Sequence, residues 1–263
     1  MVFIVAVVLQ WAVLEALVSL VPPTLLGDWA GGLWAVLLLG VLLKPLLAWA
    51  MLKNEVLAVE RALSAVDGGS LDAGRARLGC LVSRDVSQLS ATEVRESAIE
   101  SLAENLNDSV VAPIFWFVVL GLPGAALYRF ANTADAMWGY RGVHQGQQWE
   151  WAGKWAARVD DGLSWLPARL TAALLALAAW QYPPRLGQEA RRTPSPNSGW
   201  PMAAMALSLD VALRKPGVYV LNAQGRSAVA ADTAAAMAYA SKALLALVTI
   251  ALVAMVLIVR AGR

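Results

Sequence analysis

The chain has 263 residues, of which 59% are hydrophobic and 15% charged, too apolar for an ordinary soluble domain of this size. A net charge of +2 offers no basis for binding nucleic acid. The single cysteine, Cys80, excludes an intramolecular disulfide and a cysteine-based zinc cluster; it is expected to be a small buried apolar residue. These bounds predict an all-α, polytopic integral membrane protein, multi-pass in the cell membrane. It should have four to five membrane segments, some broken or re-entrant, plus interfacial helices.

Three apolar runs have the length needed to cross a bilayer: residues 1–21, 29–52 and 243–259. The first lacks a basic leader and a small-residue cleavage site, so it should stay as a helix. Gln10 and Glu15 lie inside it, and an ionisable group at that depth normally faces protein or a wet cavity. Lys44-Pro45 interrupts the second run. Two further runs are long enough but interrupted. Residues 110–128 contain Pro113 and the stretch Gly121-Leu122-Pro123-Gly124, and residues 163–180 contain Pro167 and Arg169. Both are read as broken or re-entrant. Trp29, Trp49, Trp165 and Trp180 lie near segment ends, as interfacial tryptophans do.

Between the second and third apolar runs lies a polar region, residues 53–109. A helix there ends at Asp67-Gly68-Gly69, and a second, short helix covers residues 72–82. Ser90 followed by Glu93 forms a capping box, so an acidic helix should start near Ala91. On it Glu100, Glu104 and Asn107 fall within about 60° of one face, with Asp108 at its edge, while Ile99, Leu102 and Leu106 take the other. After the apolar hairpin, Arg129, Asn132 and Asp135 fall at i, i+3 and i+6 along one flank of a helix. Residues 147–161 carry Trp149, Trp151 and Trp155 and read as a helix along the interface. His144 stands in a glycine-flanked loop without a second histidine to share a metal. Residues 182–199 read as a loop, 200–213 as a short apolar helix, and 218–242 as a strand-like Tyr-Val-Leu piece leading into an alanine-rich helix. No repeat or soluble domain boundary is visible. The chain is read as one membrane-embedded domain, 1–263, made of N-terminal helices (1–52), a motif-bearing region (53–213) and C-terminal helices (214–263).

The sequence contains no P-loop, nucleophile elbow, zinc-protease or dinucleotide motif. What remains is oxygen chemistry, with carboxylates and amides beside Arg129, Arg141, Arg158 and Arg169. Carboxylates with arginines can hold magnesium and phosphates. They form structural ion pairs at a membrane edge equally well. The residues alone leave both readings open.

A set of motifs then stands in a recognisable order. It comprises Arg84-Asp85-x-Ser87-x-Leu89, Glu100-x-x-Ala103-Glu104-Asn105-x-x-Asp108, Tyr128-x-x-x-Asn132-Thr133-x-Asp135-x-Met137-x-Gly139-Tyr140, Ala157-Arg158-x-Asp160-Asp161, Pro167-Ala168-Arg169-Leu170 and Ser195-Pro196-Asn197. In this order the chain resembles the adenosylcobinamide-phosphate synthases, the CobD/CbiB family of cobalamin biosynthesis, from about residue 60 to 213. The resemblance implies an ATP- and magnesium-dependent carbon–nitrogen ligase that joins adenosylcobyric acid to 1-amino-2-propanol or its O-phosphate. It implies catalytic roles for Glu104, Asn105, Asn132, Asp135, Asp160 and Asp161, and substrate or phosphate binding by Arg84, Arg129, Tyr140, Arg158, Arg169 and Asn197. Magnesium would fall to Glu100, Glu104 and Asp108. The implied partners are the corrinoid, the amino alcohol and the lipid bilayer, with room for a homo-oligomer or a complex with other enzymes of the pathway. A non-catalytic membrane paralogue, a sensor or assembly protein on the same scaffold, is the alternative from another class.

Overall fold

The computed structural model describes residues 37–64, 68–139, 142–144 and 146–261. The expected segment at 1–21 with Gln10 and Glu15, the first part of the segment at 29–52, the turn residue Asp67, Tyr140 and Arg141 lie outside the described residues. In chain order the elements are α1 (Leu37–Leu46), α2 (Trp49–Leu63), α3 (Leu71–Leu78) and α4 (Ala91–Leu106). A π-turn (Asn107–Val111) leads into α5 (Ala112–Trp138), followed by the two-residue strands β1 (Val143–His144) and β2 (Gln147–Gln148). Then come α6 (Glu150–Ala178), α7 (Leu186–Ala190), α8 (Gly199–Leu209), β3 (Leu213–Lys215), β4 (Tyr219–Leu221) and α9 (Ala230–Ala261). The protein is mostly helical, as expected. Among the described residues two stretches, Ala91–Trp138 and Ala230–Ala254, are long and apolar enough to cross a membrane, and a third counts if α1 and α2 together form one span.

The chain packs as two compact units, one containing residues 112–162 with the N-terminal part up to Ala48, the other residues 49–111 and 163–263. In the second unit α4 is the hub, packed against α2, α3, α8, α9 and β3. Its start is fixed by the expected capping box, in which Ser90 Oγ accepts from the Glu93 amide and the Glu93 carboxylate accepts from the Ser90 amide. Apolar Val94, Ala98, Ile99, Leu102 and Leu106 are buried, and so are Glu96 and Glu100. The helix is therefore enclosed on its acidic face as well as its apolar one, and is not a solvated surface helix. Buried carboxylates need partners, and the second unit supplies them. Arg214 from β3 pairs with Glu96. Arg95, also on α4, pairs with Glu60 of α2 through bonds of 2.9 and 3.0 Å, and Thr233 of α9 donates to the same carboxylate at 2.9 Å. Below α4, Val59, Leu78, Leu89, Val94 and Ala98 form an apolar cluster that tethers α2 and α3.

β3 and β4 form a hairpin, with Leu213 opposite Leu221 and Lys215 opposite Tyr219. The expected strand-like Tyr-Val-Leu piece is thus present, and it pairs with a strand, Leu213–Lys215, of which the helix expected at 200–213 took in only Leu213. The helix stops at Leu209 instead, because Asp210 adopts the left-handed conformation (φ 50°) that closes a helix C-terminus.

In the first unit α5 contains the break expected at Gly121, whose φ of 68° and ψ of −161° only glycine adopts readily. Pro123 follows it inside the helix. The break expected in residues 163–180 is absent. α6 runs through Pro167 to Ala178 without interruption, since a proline within a helix forfeits one donor without necessarily ending the helix. Of the interfacial helix expected at 147–161, residues 147–148 form β2 instead, and residues 150–161 are the first part of this same α6. His144 lies in the β1–β2 hairpin, where Val143 pairs with Gln148, and not in a loop. Residues 182–199, read as a loop, include α7. Cys80 is exposed, against the expectation of burial.

Candidate active site

In the second unit, a cavity of about 150 Å³ opens beside the middle of α4, lined by Arg84, Glu100, Ser101, Glu104, Asn105 and Lys215 among others. Four of these six fall on one side of α4 because positions 100, 101, 104 and 105 recur at helical spacing. The floor is a charged hydrogen-bonded cluster. Tyr219 donates its hydroxyl hydrogen to Glu100 Oε1 at 2.9 Å, while Arg84 donates to Ser97 Oγ at 2.8 Å and approaches Glu100 Oε2 at 3.5 Å. Burial, helped by the Glu100 carboxylate beside it, pushes the Tyr219 phenol far above its usual range, so it remains a proton donor to Glu100. The Lys215 amine lies 5.8 Å from the centre of the Tyr219 ring.

Two features make this cavity more than a structural ion pair. The Nε and one terminal nitrogen of Arg84 are shielded from solvent and lack a hydrogen-bond partner. Buried donors without partners are costly, which favours an acceptor arriving from outside the chain. Glu104, on the same cavity wall, is engaged by no hydrogen bond or ion pair among the described residues. Asn105 donates back to Ser101 O at 3.0 Å and to Ser101 Oγ at 3.2 Å, so its amide orientation is set by its own helix. The cavity thus presents two cations, two carboxylates and fixed amide and hydroxyl groups. Among the described residues no three acids, histidines or cysteines converge closely enough to hold a metal by themselves. The donor set suits magnesium in the form that shares its coordination, with one or two carboxylates completed by water and phosphate oxygens.

Asp108 follows one turn later, in the π-turn, where the Asn107 amide donates to its Oδ1 at 2.8 Å. A second cavity of this unit, of about 330 Å³, is lined by Arg169, Arg191, Thr193, Ser195 and Trp200 among others. Here the Arg169 guanidinium lies between two indoles, 4.1 Å from the ring centre of Trp165 and 4.7 Å from that of Trp200. It donates to Trp165 O and, at 3.1 Å, to Asn197 Oδ1. The geometry clasps the Ser195-Pro196-Asn197 loop to α6 and brings Arg169 and Asn197 together.

In the first unit, Arg129 donates to Asn132 Oδ1 at 3.2 Å, and Asn132 Nδ2 donates to Asp160 Oδ1 at 3.3 Å. This joins the two helices that carry the expected residues. Asp135 and Asp161 lie near enough for their charges to interact. Burial pushes the Asp161 carboxyl above its ordinary range. Arg158 is exposed. Gly139 follows the end of α5, at a position where a Cβ would stand 2.2 Å from Asp135 Oδ1.

A family model described as CobD/Cbib protein matches residues 1–259. The chain belongs to the CobD/Cbib family. It is 45% identical over 189 residues to a probable cobalamin biosynthesis protein CobD of Methanothermobacter thermautotrophicus, covering 69% of this chain and 61% of that one. It is 37% identical over 212 residues to the cobalamin biosynthesis protein CobD of Dehalococcoides mccartyi, covering 77% and 66%. To that of Rhodobacter capsulatus it is 41% identical over 198 residues, covering 73% and 60%. The chain thus spans less than two thirds of the length of these CobD relatives. No solved structure matches.

Reading the sequence missed Tyr219, Lys215 and Ser101. Tyr219 and Lys215 stand more than a hundred positions from Glu100 and face it only once β3 and β4 pair. Ser101 carried a signal that was available, since it sits one helical turn before Asn105.

Proposed function

We propose that this chain acts in cobalamin biosynthesis as a membrane-bound, ATP-dependent ligase. It would join the propionate carboxylate of adenosylcobyric acid to 1-amino-2-propanol or its O-phosphate. The observation that carries the reading is the α4 cavity, where the unmatched N–H groups of Arg84 and the Lys215 amine share a wall with the unengaged Glu104. Amide formation at neutral pH needs the carboxylate activated, most simply as an acyl phosphate. Such a transfer depends on fixed positive charge around the moving phosphoryl group.

In this mechanism Arg84 and Lys215 bind phosphoryl oxygens, and Arg84 is held in place by Ser97 and Glu100. Tyr219 keeps Glu100 oriented without competing for the anion. Glu104, with Glu100 or Asp108, would hold magnesium, whose positive charge would offset that of the phosphate oxygens. Asn105 contributes an amide of fixed orientation. Asn132, Asp135, Asp160 and Asp161, within the first unit, are proposed as catalytic residues, with Asp161 suited to hold a proton because its carboxyl is raised by burial. Arg129, Arg158, Arg169, Asn197 and Tyr140 are proposed to bind the substrates' anionic groups.

The test is complementation of a strain lacking its own synthase, grown on cobyric acid with cobinamide as the control. Growth on cobyric acid, lost in Glu104→Gln, supports the ligase. Growth restored only by cobinamide, with the protein inserted in the membrane, overturns it in favour of a non-catalytic paralogue.

A further inference from the structure

The chain leaves its α-helical path directly after the acidic helix, in the π-turn Asn107–Val111. Such turns are rare and insert an extra residue, often where a side chain must be re-aimed. Here the consequence can be traced atom by atom. Asn107 is 1% exposed, yet its amide is fully directed. Its Nδ2 donates to Asp108 Oδ1 at 2.8 Å, and its Oδ1 accepts from the Thr171 hydroxyl at 3.0 Å. Side chains of consecutive residues do not face each other on a regular α-helix, so the Asn107–Asp108 bond is made possible by the wider turn.

The direction of the chain of bonds follows from the chemistry. A carboxylate only accepts, so the Asn107 NH₂ must point at Asp108 and its carbonyl at Thr171. The Thr171 hydroxyl has one hydrogen and two acceptors in reach, Asn107 Oδ1 and Pro167 O at 2.9 Å. With the amide so oriented, the hydrogen goes to Asn107. Thr171 is itself fully buried, on α6, 64 positions away in the chain.

We propose that Thr171 and Asn107 are positioning residues that aim the Asp108 carboxylate. The proposal takes its functional meaning from the ligase reading, in which Asp108 contributes to the metal-phosphate site. It assigns a role to two residues that lie outside the family motifs quoted above, and it makes the π-turn part of the active-site geometry.

The test uses the full-length protein in detergent micelles, with ¹⁵N-labelled asparagine and the Asn107 side-chain amide assigned from its loss in Asn107→Ser. Thr171→Val and Asp108→Asn should each move that amide pair, and Thr171→Ser should leave it in place. In turnover, Thr171→Val should lower kcat about tenfold with KM little changed, as displacement of a catalytic group does, and Thr171→Ser should restore it. In an Asp108→Asn background, Thr171→Val should have no further effect. An amide pair indifferent to both Thr171→Val and Asp108→Asn overturns the proposal, as does equal loss of kcat in Thr171→Val and Thr171→Ser. The spectroscopic arm needs no substrate. A wild-type protein without ligase turnover would therefore remove the ligase reading while the amide still decides whether Asp108 is aimed by this pair.

Discussion

The Tyr219 hydroxyl meets Glu100 Oε1 at 2.9 Å, joining a β-hairpin to the middle of the acidic helix across 119 positions of sequence. Tyr219→Phe removes the donor and leaves a buried carboxylate oxygen without it, at a cost of about 1–3 kcal/mol. Thermal unfolding should report this loss. The variant should also weaken phosphate-ligand binding more than a substitution at exposed Tyr182, because Glu100 would be free to turn towards Arg84.

Glu104→Gln keeps the size of the side chain and removes its charge. For the proposed ligase reaction, titration of turnover with magnesium should shift to higher metal concentration in this variant, with little change in unfolding temperature, since Glu104 makes no hydrogen bond that the fold depends on. Identical magnesium curves for variant and wild type would count against a metal role for Glu104.

Gly139→Ala places a methyl group where Asp135 Oδ1 now lies, 2.2 Å away, and within 2.5 Å of Asp135 O. The carboxylate must rotate off its present position. We expect turnover to fall at least tenfold while circular dichroism stays that of the wild type. Full activity in this variant would show that Asp135 need not hold its present orientation.

Asp161 gives a pH signature. Because burial raises its carboxyl in the folded protein, the folded state binds the proton more tightly than the unfolded chain does. The associated stabilisation is complete below the unfolded value of about 4 and is lost as pH rises through the folded value. Asp161→Asn should remove that loss. Its unfolding temperature, plotted against pH from 4 upward, should fall less steeply than the wild type's.

Arg169→Lys preserves charge but loses the planar group held between Trp165 and Trp200. The expected cost is about 1–2 kcal/mol. Limited proteolysis should then cut the 193–198 loop faster, because its tie through Asn197 is gone.

Local signals were read well wherever the physics was local. Ser90 and Glu93 marked the start of α4, and Gly121 marked a break that only its backbone freedom allows. Arg129 and Asn132 were placed on one helix flank by spacing alone, and they do touch. The failures came where distant parts of the chain decide the outcome. Nothing near Glu96 or Glu100 announces that Arg214 and Tyr219 will cover them, so the acidic face gave no sign of being enclosed. Pro167 was given too much weight as a helix breaker, since packing of the surrounding helix outweighs one missing hydrogen bond. Asp210 ended a helix that its neighbours, all apolar or small, would have continued.

The enclosed acidic helix also imposes an order on biosynthesis. Glu96 and Glu100 leave the ribosome more than a hundred residues ahead of Arg214 and Tyr219, and a buried charge without its partner costs several kcal/mol. During synthesis α4 must therefore wait in a polar environment, on the membrane surface or in the insertion machinery, until the β3–β4 hairpin is made. The β3–β4 hairpin acts as a timer, and the α4 cavity is closed only after that hairpin has been made.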